Sequence, residues 1–224
     1  MCVLLARRAE RLRPLAAEID GEYEVCDVSD RSAVERVASA VRERHPQLDV
    51  LVNNAGVSGR RGFLELDPEQ IENVLRTNYL GSVWCLRAFL PALEAAEGAH
   101  VVNIVSVAGL VAAPRSGPYS ASKHAQLAFS RASVAELAGR GIAVHTVNPG
   151  FVETEGFPQR SALASPLLRR AVIEPEAVAR HVVGLLDRGS SETFVPGWYR
   201  VPAVLQALVP GLVGRAAART SYKS

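Results

Sequence analysis

Cysteine is scarce in this sequence of 224 residues, with only Cys2, Cys26 and Cys85. An odd count without metal-ligand spacing excludes a disulfide framework and a cysteine-based metal site, and it fits a reduced, cytoplasmic setting. Cys26 and Cys85 lie in apolar stretches, where a buried and inert thiol is the expected state. Long hydrophobic runs are missing too. None reaches the ~18 residues that a membrane span needs, and the first residues lack the basic, apolar, small-residue order of a signal peptide. The nearest approach, residues 201–214, is interrupted by Gln206 and Pro210. It reads as a surface-lying helix open to peripheral membrane association, as a lid, or as a contact between copies of the chain. A dominant charge is also absent, since 25 basic residues stand against 23 acidic ones for a net charge of +2. Without a clustered basic stripe, nucleic acid is not an expected partner. The densest basic run, Arg7, Arg8, Arg11 and Arg13, suits either a solvated helix face or an anion site.

What is present is ordinary globular composition, 48% hydrophobic and 21% charged, in a length that suits one domain over residues 1–224. Apolar runs at residues 3–6, 23–26, 48–52, 101–105, 142–147 and 193–195 read as buried strands. Helical spacing fills the intervals. Leu12, Leu15 and Ile19 share one face, and Asp30 is placed to cap a helix carrying Val34, Val37 and Val41 until His45-Pro46 stops it. A long helix is expected over residues 68–96, and others over 119–138 and 175–186. Strict alternation of strand and helix, with unbroken apolar strands, predicts an α/β domain with a doubly wound parallel sheet. Residues 153–174 carry two prolines and weak periodicity, and they read as a mobile segment over a cleft.

Lysine is rarer still, and one of the two, Lys123, follows Tyr119 by four residues. With five tyrosines in the chain, such a pair is expected by chance roughly 0.04 times. Residues at this spacing share a helix face, so an ammonium beside the phenol can favour the phenolate. In an open parallel sheet, ligands bind beyond the carboxyl ends of the strands. Asn53-Asn54-Ala55-Gly56, Ser106 and Asn148-Pro149-Gly150 all follow apolar runs. Singly, each has a plain structural explanation, because Asn-Gly elements form turns and a serine after a strand serves as a cap. Together they are far more specific.

In order and spacing, Asn53-Asn54-Ala55-Gly56, Asn78, Ser106, Tyr119-x-x-x-Lys123 and Asn148-Pro149-Gly150 resemble the short-chain dehydrogenase/reductase family, from Val3 to about residue 196. The resemblance implies a Rossmann-like oxidoreductase moving hydride between a nicotinamide and a carbonyl or secondary alcohol. Tyr119 would be the general acid/base, and Ser106 would hydrogen-bond the reacting oxygen. Lys123 would bind the nicotinamide ribose and lower the Tyr119 pKa. Asn78 would hold a water of the proton relay, against the plainer reading of a solvent-facing asparagine. Arg7 and Arg8 would receive an adenosine 2′-phosphate, favouring NADP over NAD. The remaining cofactor contacts implied are Asp27 and Val28 for adenine, Asn53, Ala55 and Gly56, and Pro149, Gly150, Val152 and Thr154 for the carboxamide. No metal is implied. His124, without a Ser-His-Asp arrangement, reads as a helix-surface residue. The substrate expected is a small carbonyl compound or alcohol, lipophilic if the apolar segment at residues 198–216 faces it, and the family implies a homodimer or homotetramer.

One departure stands out. The family opens with a strand, a Thr-Gly-x-x-x-Gly-x-Gly loop and a helix, whereas Met1 falls at the start of the family's second strand. In the family order 3-2-1-4-5-6-7 the first strand is central. Its absence predicts either instability or direct pairing of the strands on either side, together with weak dinucleotide binding. A mistaken start site and a catalytically silent binding or oligomerisation subunit are the alternatives.

Overall fold

A computed structural model describes residues 1–59, 61–112, 116–163, 166–189 and 191–220. Strand and helix alternate as the pattern predicts: β1 (Val3–Ala6), α1 (Ala9–Glu18), β2 (Glu22–Val25), α2 (Arg31–Arg44) and β3 (Val50–Asn53). There follow α3 (Pro68–Leu75), a π turn (Arg76–Leu80), α4 (Gly81–Glu94), β4 (His100–Ile104), a short 3-10 turn (Val107–Gly109), α5 (Gly117–Ala138) and β5 (Ala143–Pro149). The chain ends with α6 (Gln159–Ala162), α7 (Pro166–Arg170), α8 (Pro175–Arg188), β6 (Glu192–Val195), a second 3-10 turn (Gly197–Tyr199), α9 (Arg200–Leu208) and α10 (Pro210–Thr220). Asp30 caps α2 as expected, its carboxylate accepting from the Ser32 and Ala33 N–H groups.

All strand pairs are parallel, but they form two sheets rather than one. β1 pairs with β2, and β3, β4, β5 and β6 pair in that order. The direct pairing expected across the middle is therefore not made. The two sheets are joined through helices instead. Phe89 of α4 with Ala38 and Val41 of α2 forms a buried cluster that touches Val3 and Leu5 of β1 on one side and Leu48 and Leu51 on the other. Since α1 packs on β1 and β2, and this sheet has only two strands, it cannot bury the whole predicted face. Leu12 and Ala16 point inward while Leu15 and Ile19 remain substantially exposed.

The expected long helix over residues 68–96 is interrupted by the π turn, in which the Gly81 N–H reaches the Arg76 carbonyl. The segment at residues 153–174 is partly ordered: α6 and α7 lie within it, and bridges join Val152 to Ile173 and Thr154 to Phe157. Residues 164–165 of that segment lie outside the described residues. At the other end of the chain, Trp198, Val201, Val204, Leu205, Leu208, Val209 and Leu212 are exposed. No helix among the described residues is long and apolar enough to cross a membrane.

Candidate active site

Register places the site. The pairs Asn53↔Asn103 and Ile104↔Val147 bring the carboxyl ends of β3, β4 and β5 to one edge, so the segments that follow them converge. They line a cavity of about 920 Å³. Of the residues expected from sequence, Ala55, Gly56, Ser106, Tyr119, Lys123, Pro149, Gly150, Val152 and Thr154 all border it. The rest of the wall is largely apolar, with Val107, Phe151, Phe157, Val178, Val182 and Tyr199.

Ser106 stands at both a turn and the cavity wall. Its Oγ accepts from the Ala108 N–H at 3.1 Å, capping the 3-10 turn, and the same side chain borders the cavity. Tyr119, near the start of α5, is half-buried with its ring 5.7 Å from that of Phe157. One helical turn on, Lys123 is buried and points inward. Its Nζ donates to the Ile104 carbonyl at 3.0 Å and to Gln126 Oε1 at 2.7 Å, and it lies 5.9 Å from the centre of the Tyr119 ring. Burial pushes the Lys123 ammonium down to about 7. Its Nζ thus lies within electrostatic reach of the Tyr119 ring, while burial works against its charge.

Asn78 is fully buried, which overturns the solvent-facing alternative. The π turn directs it inward, where Oδ1 accepts from the Val57 N–H at 2.8 Å and Nδ2 donates to the Val57 carbonyl at 3.0 Å and to Ser122 Oγ at 2.9 Å. It thus fixes the loop after β3 against α5, with a Cβ at Gly56 falling 3.4 Å from its Oδ1 and 3.9 Å from Lys123 Nζ.

Other expected residues are not brought to the cavity. Asn53 lies beneath it, donating to Asn103 Oδ1 at 2.8 Å. Val28 is buried against Gly81, where a Cβ would come within 2.9 Å of it, so its place is in the core. Asp27 accepts from the Ser29 N–H and faces Arg7 at 3.9 Å. Arg7 and Arg8, after β1, are exposed and separate from the cavity wall. His124 is exposed on α5, its ring 2.8 Å from the Ser120 carbonyl. Burial pushes the Cys26 thiol up to about 11 and the Cys85 thiol up to about 12, which leaves both inert.

The sequence pattern missed several residues in the wall and behind it. Tyr199 crosses from the far end of the chain to lie on Gly150, where a Cβ would stand 2.0 Å from its ring. Gln159 borders the cavity with its Oε1 buried and unpartnered. Gln126, fully buried, holds Lys123. Each depends on long-range packing or on a side chain's direction that local spacing does not encode. Among the described residues, no group of His, Cys, Asp and Glu could hold a metal ion.

The nicotinamide end of a dinucleotide fits these walls. The backbone of the loop at Gly56, a buried lysine within reach and apolar sides make a cradle for a flat ring and its ribose. The sequence model of the family described as short chain dehydrogenase matches residues 1–163. Dehydrogenase/reductase SDR family member 7B of Bos taurus is 30% identical over 241 residues, covering 99% of this chain and 74% of that protein. A short-chain dehydrogenase from Streptomyces avermitilis, of known structure, superposes with a TM-score of 0.78 at 27% identity, over 92% of this chain and 83% of its own. A metagenomic short-chain oxidoreductase in complex with NADP superposes with a TM-score of 0.71 at 31% identity, over 86% and 83% of the two chains. With Ser106, Tyr119 and Lys123 gathered at the ends of parallel strands and the family match spanning most of the chain, this protein belongs to the short-chain dehydrogenase family of nicotinamide-dependent oxidoreductases.

Proposed function

We propose that the protein reduces a carbonyl group, or oxidises the corresponding secondary alcohol, on a lipophilic small molecule, with NADP(H) as the preferred cofactor. One observation carries this reading: Ser106 and Tyr119 share one apolar-walled cavity with Lys123 buried at its edge. The cofactor supplies the hydride. Tyr119 donates its phenolic proton to the carbonyl oxygen during reduction and takes it back from the alcohol in the reverse direction. Ser106 donates a hydrogen bond that holds that oxygen in place. Lys123 stabilises negative charge on Tyr119 and would bind the ribose hydroxyls. Asn78 acts by fixing the loop that carries Ala55 and Gly56.

Selectivity for NADP rests on Arg7 and Arg8, exposed where β1 ends with no carboxylate of its own. The metagenomic relative in complex with NADP points the same way. The preference for lipophilic substrates rests on Val107, Phe151, Phe157, Val182 and Tyr199 in the wall. We assign the 153–174 segment as the substrate loop within one domain over residues 1–224.

The test is transfer of deuterium from labelled NADPH to a panel of ketones, with Tyr119→Phe as control. Transfer that Tyr119→Phe lowers by about 10²–10⁴-fold supports the reading. No transfer, with no NADPH binding by the chain, would instead favour a catalytically silent binding or oligomerisation subunit.

A further inference from the structure

We infer that Gln126 is a positioning residue for Lys123: its amide, anchored on Ser82, holds the ammonium at the cavity edge and in its charged state. The inference rests on the reading of Lys123 as part of the catalytic group. Lys123 and Gln126 are three residues apart on α5 and therefore share a face. Gln126 Oε1 accepts from Lys123 Nζ at 2.7 Å while its Nε2 donates to Ser82 Oγ, near the start of α4, at 2.9 Å. The amide is thus used from both ends, and the bond to Ser82 directs the oxygen toward the lysine.

The chemistry of the position supports a role beyond packing. Gln126 is fully buried, next to buried Leu127, and a leucine or methionine would fill such a place without an amide to satisfy. Burying an amide costs free energy unless both ends are bonded, and here one end is committed to an ammonium. The Ile104 carbonyl takes a second N–H of Lys123. With these two acceptors on its inner side, the remaining N–H is left for the cavity that Lys123 borders.

The surroundings show why an amide matters. Tyr119, from α5 itself, is the titratable group that faces Lys123. β4 offers the Ile104 carbonyl, the loop after β3 the backbone of Gly56, and α4 Ser82, which touches the lysine only through Gln126. Burial lowers the Lys123 pKa, and the two acceptors that meet its ammonium are both neutral carbonyls. Neutral dipoles must therefore hold the cation, and the Gln126 carbonyl is the nearer of the two acceptors.

The chain contains only two lysines, Lys123 and Lys223, so carbon-13 labelling at lysine Cε lets NMR follow Lys123 directly, with Lys223→Arg assigning the signals. Gln126→Glu places a carboxylate beside the ammonium and is expected to raise its midpoint by about one pH unit or more. Gln126→Met removes the acceptor at similar volume and is expected to lower it by about one unit. Ser82→Ala loosens the anchor with little change of volume and is expected to lower it by a smaller step. The high-pH limb of the reductase profile should move in the same directions. Equal midpoints in all the variants, or shifts of one sign for Glu and Met, overturn the inference. Opposite midpoint shifts in a protein that transfers no hydride uphold the positioning of Lys123 and overturn its catalytic reading.

Discussion

Arg11 of α1 grips Glu155, in the loop beyond β5, through two guanidinium nitrogens. This ion pair bridges the helix that follows Arg7 and Arg8 to the proposed substrate loop. The Arg11 guanidinium holds the Glu155 carboxyl below its ordinary range, first by hydrogen bonding and then by charge. The pair is therefore present at and above the normal carboxylate range, and is lost as pH falls through the lowered folded-state value. In Glu155→Gln, Arg11 is released toward a phosphate. We expect the KM for NADPH to fall by about 3-fold or more while that for NADH stays nearly constant, and the difference to shrink in high salt. Steady-state kinetics with both cofactors at two ionic strengths test this, and an equal change for NADPH and NADH would refute it.

A second pair lies at the opposite end of the strands. His100 of β4 and His145 of β5 bring ring nitrogens within 2.9 Å, so one ring must donate and the other accept. Burial, and then the neighbouring His145, lower the His100 pKa. The unfolded chain therefore binds protons more readily than the fold does. Stability from neutral His100 is present above the unfolded histidine pKa of about 6.5 and declines as pH falls toward the lower folded value. Thermal melts between about pH 7.5 and 5 should show Tm decreasing in the wild type and a flatter profile in His100→Gln. Parallel profiles would mean that the pair is electrostatically silent.

These two pairs mark the boundary of what was legible in the sequence. The strands were readable because residues 3–6 and 101–105 are largely apolar runs, and the Tyr119 and Lys123 pairing was readable because helical spacing is local. The site edge followed from Ser106 and Pro149-Gly150 standing just beyond strands. Lost to local reading was everything set by distant packing: Tyr199 on Gly150, Gln126 on Ser82, and the π turn that rotates Asn78 inward. The exposure of Leu15 and Ile19 was invisible for the same reason, since a helical face reports what can be buried and not how wide a surface is available to bury it.

Asn53, Asn103, Ser130 and Thr146 form a buried polar chain across β3, β4, α5 and β5. Asn103 is its centre, accepting from Asn53 Nδ2 and donating to Ser130 Oγ. Asn103→Leu leaves the Asn53 amide without its acceptor and Ser130 without its donor. It should destabilise the fold by about 2–4 kcal/mol in urea denaturation, because stranded buried polar groups keep their desolvation cost. Ser130→Ala also breaks two links, those to Asn103 and Thr146, and should cost a similar amount. A neutral Asn103→Leu would show that the chain contributes nothing net.

The contact of Gly150 with Tyr199 couples the strand that ends at the site to the turn before α9. Tyr199 stacks on Trp198, with ring centres 3.9 Å apart, and meets Phe151 edge-on at 6.1 Å. Gly150→Ala would drive a methyl group into its ring, so overpacking should cost about 1–3 kcal/mol and change the emission of half-exposed Trp198. Tyr199→Ala removes the obstacle and opens the cavity, at a cost of about 3–5 kcal/mol. In the double variant the added methyl enters space that the ring has left. The two losses should therefore combine to less than their sum, with a coupling of about 1–3 kcal/mol in a double-mutant cycle read by urea denaturation. Strict additivity would mean that Tyr199 does not rest on Gly150 in solution, and the aromatic wall of the cavity would then have to be built from Tyr119, Phe151 and Phe157.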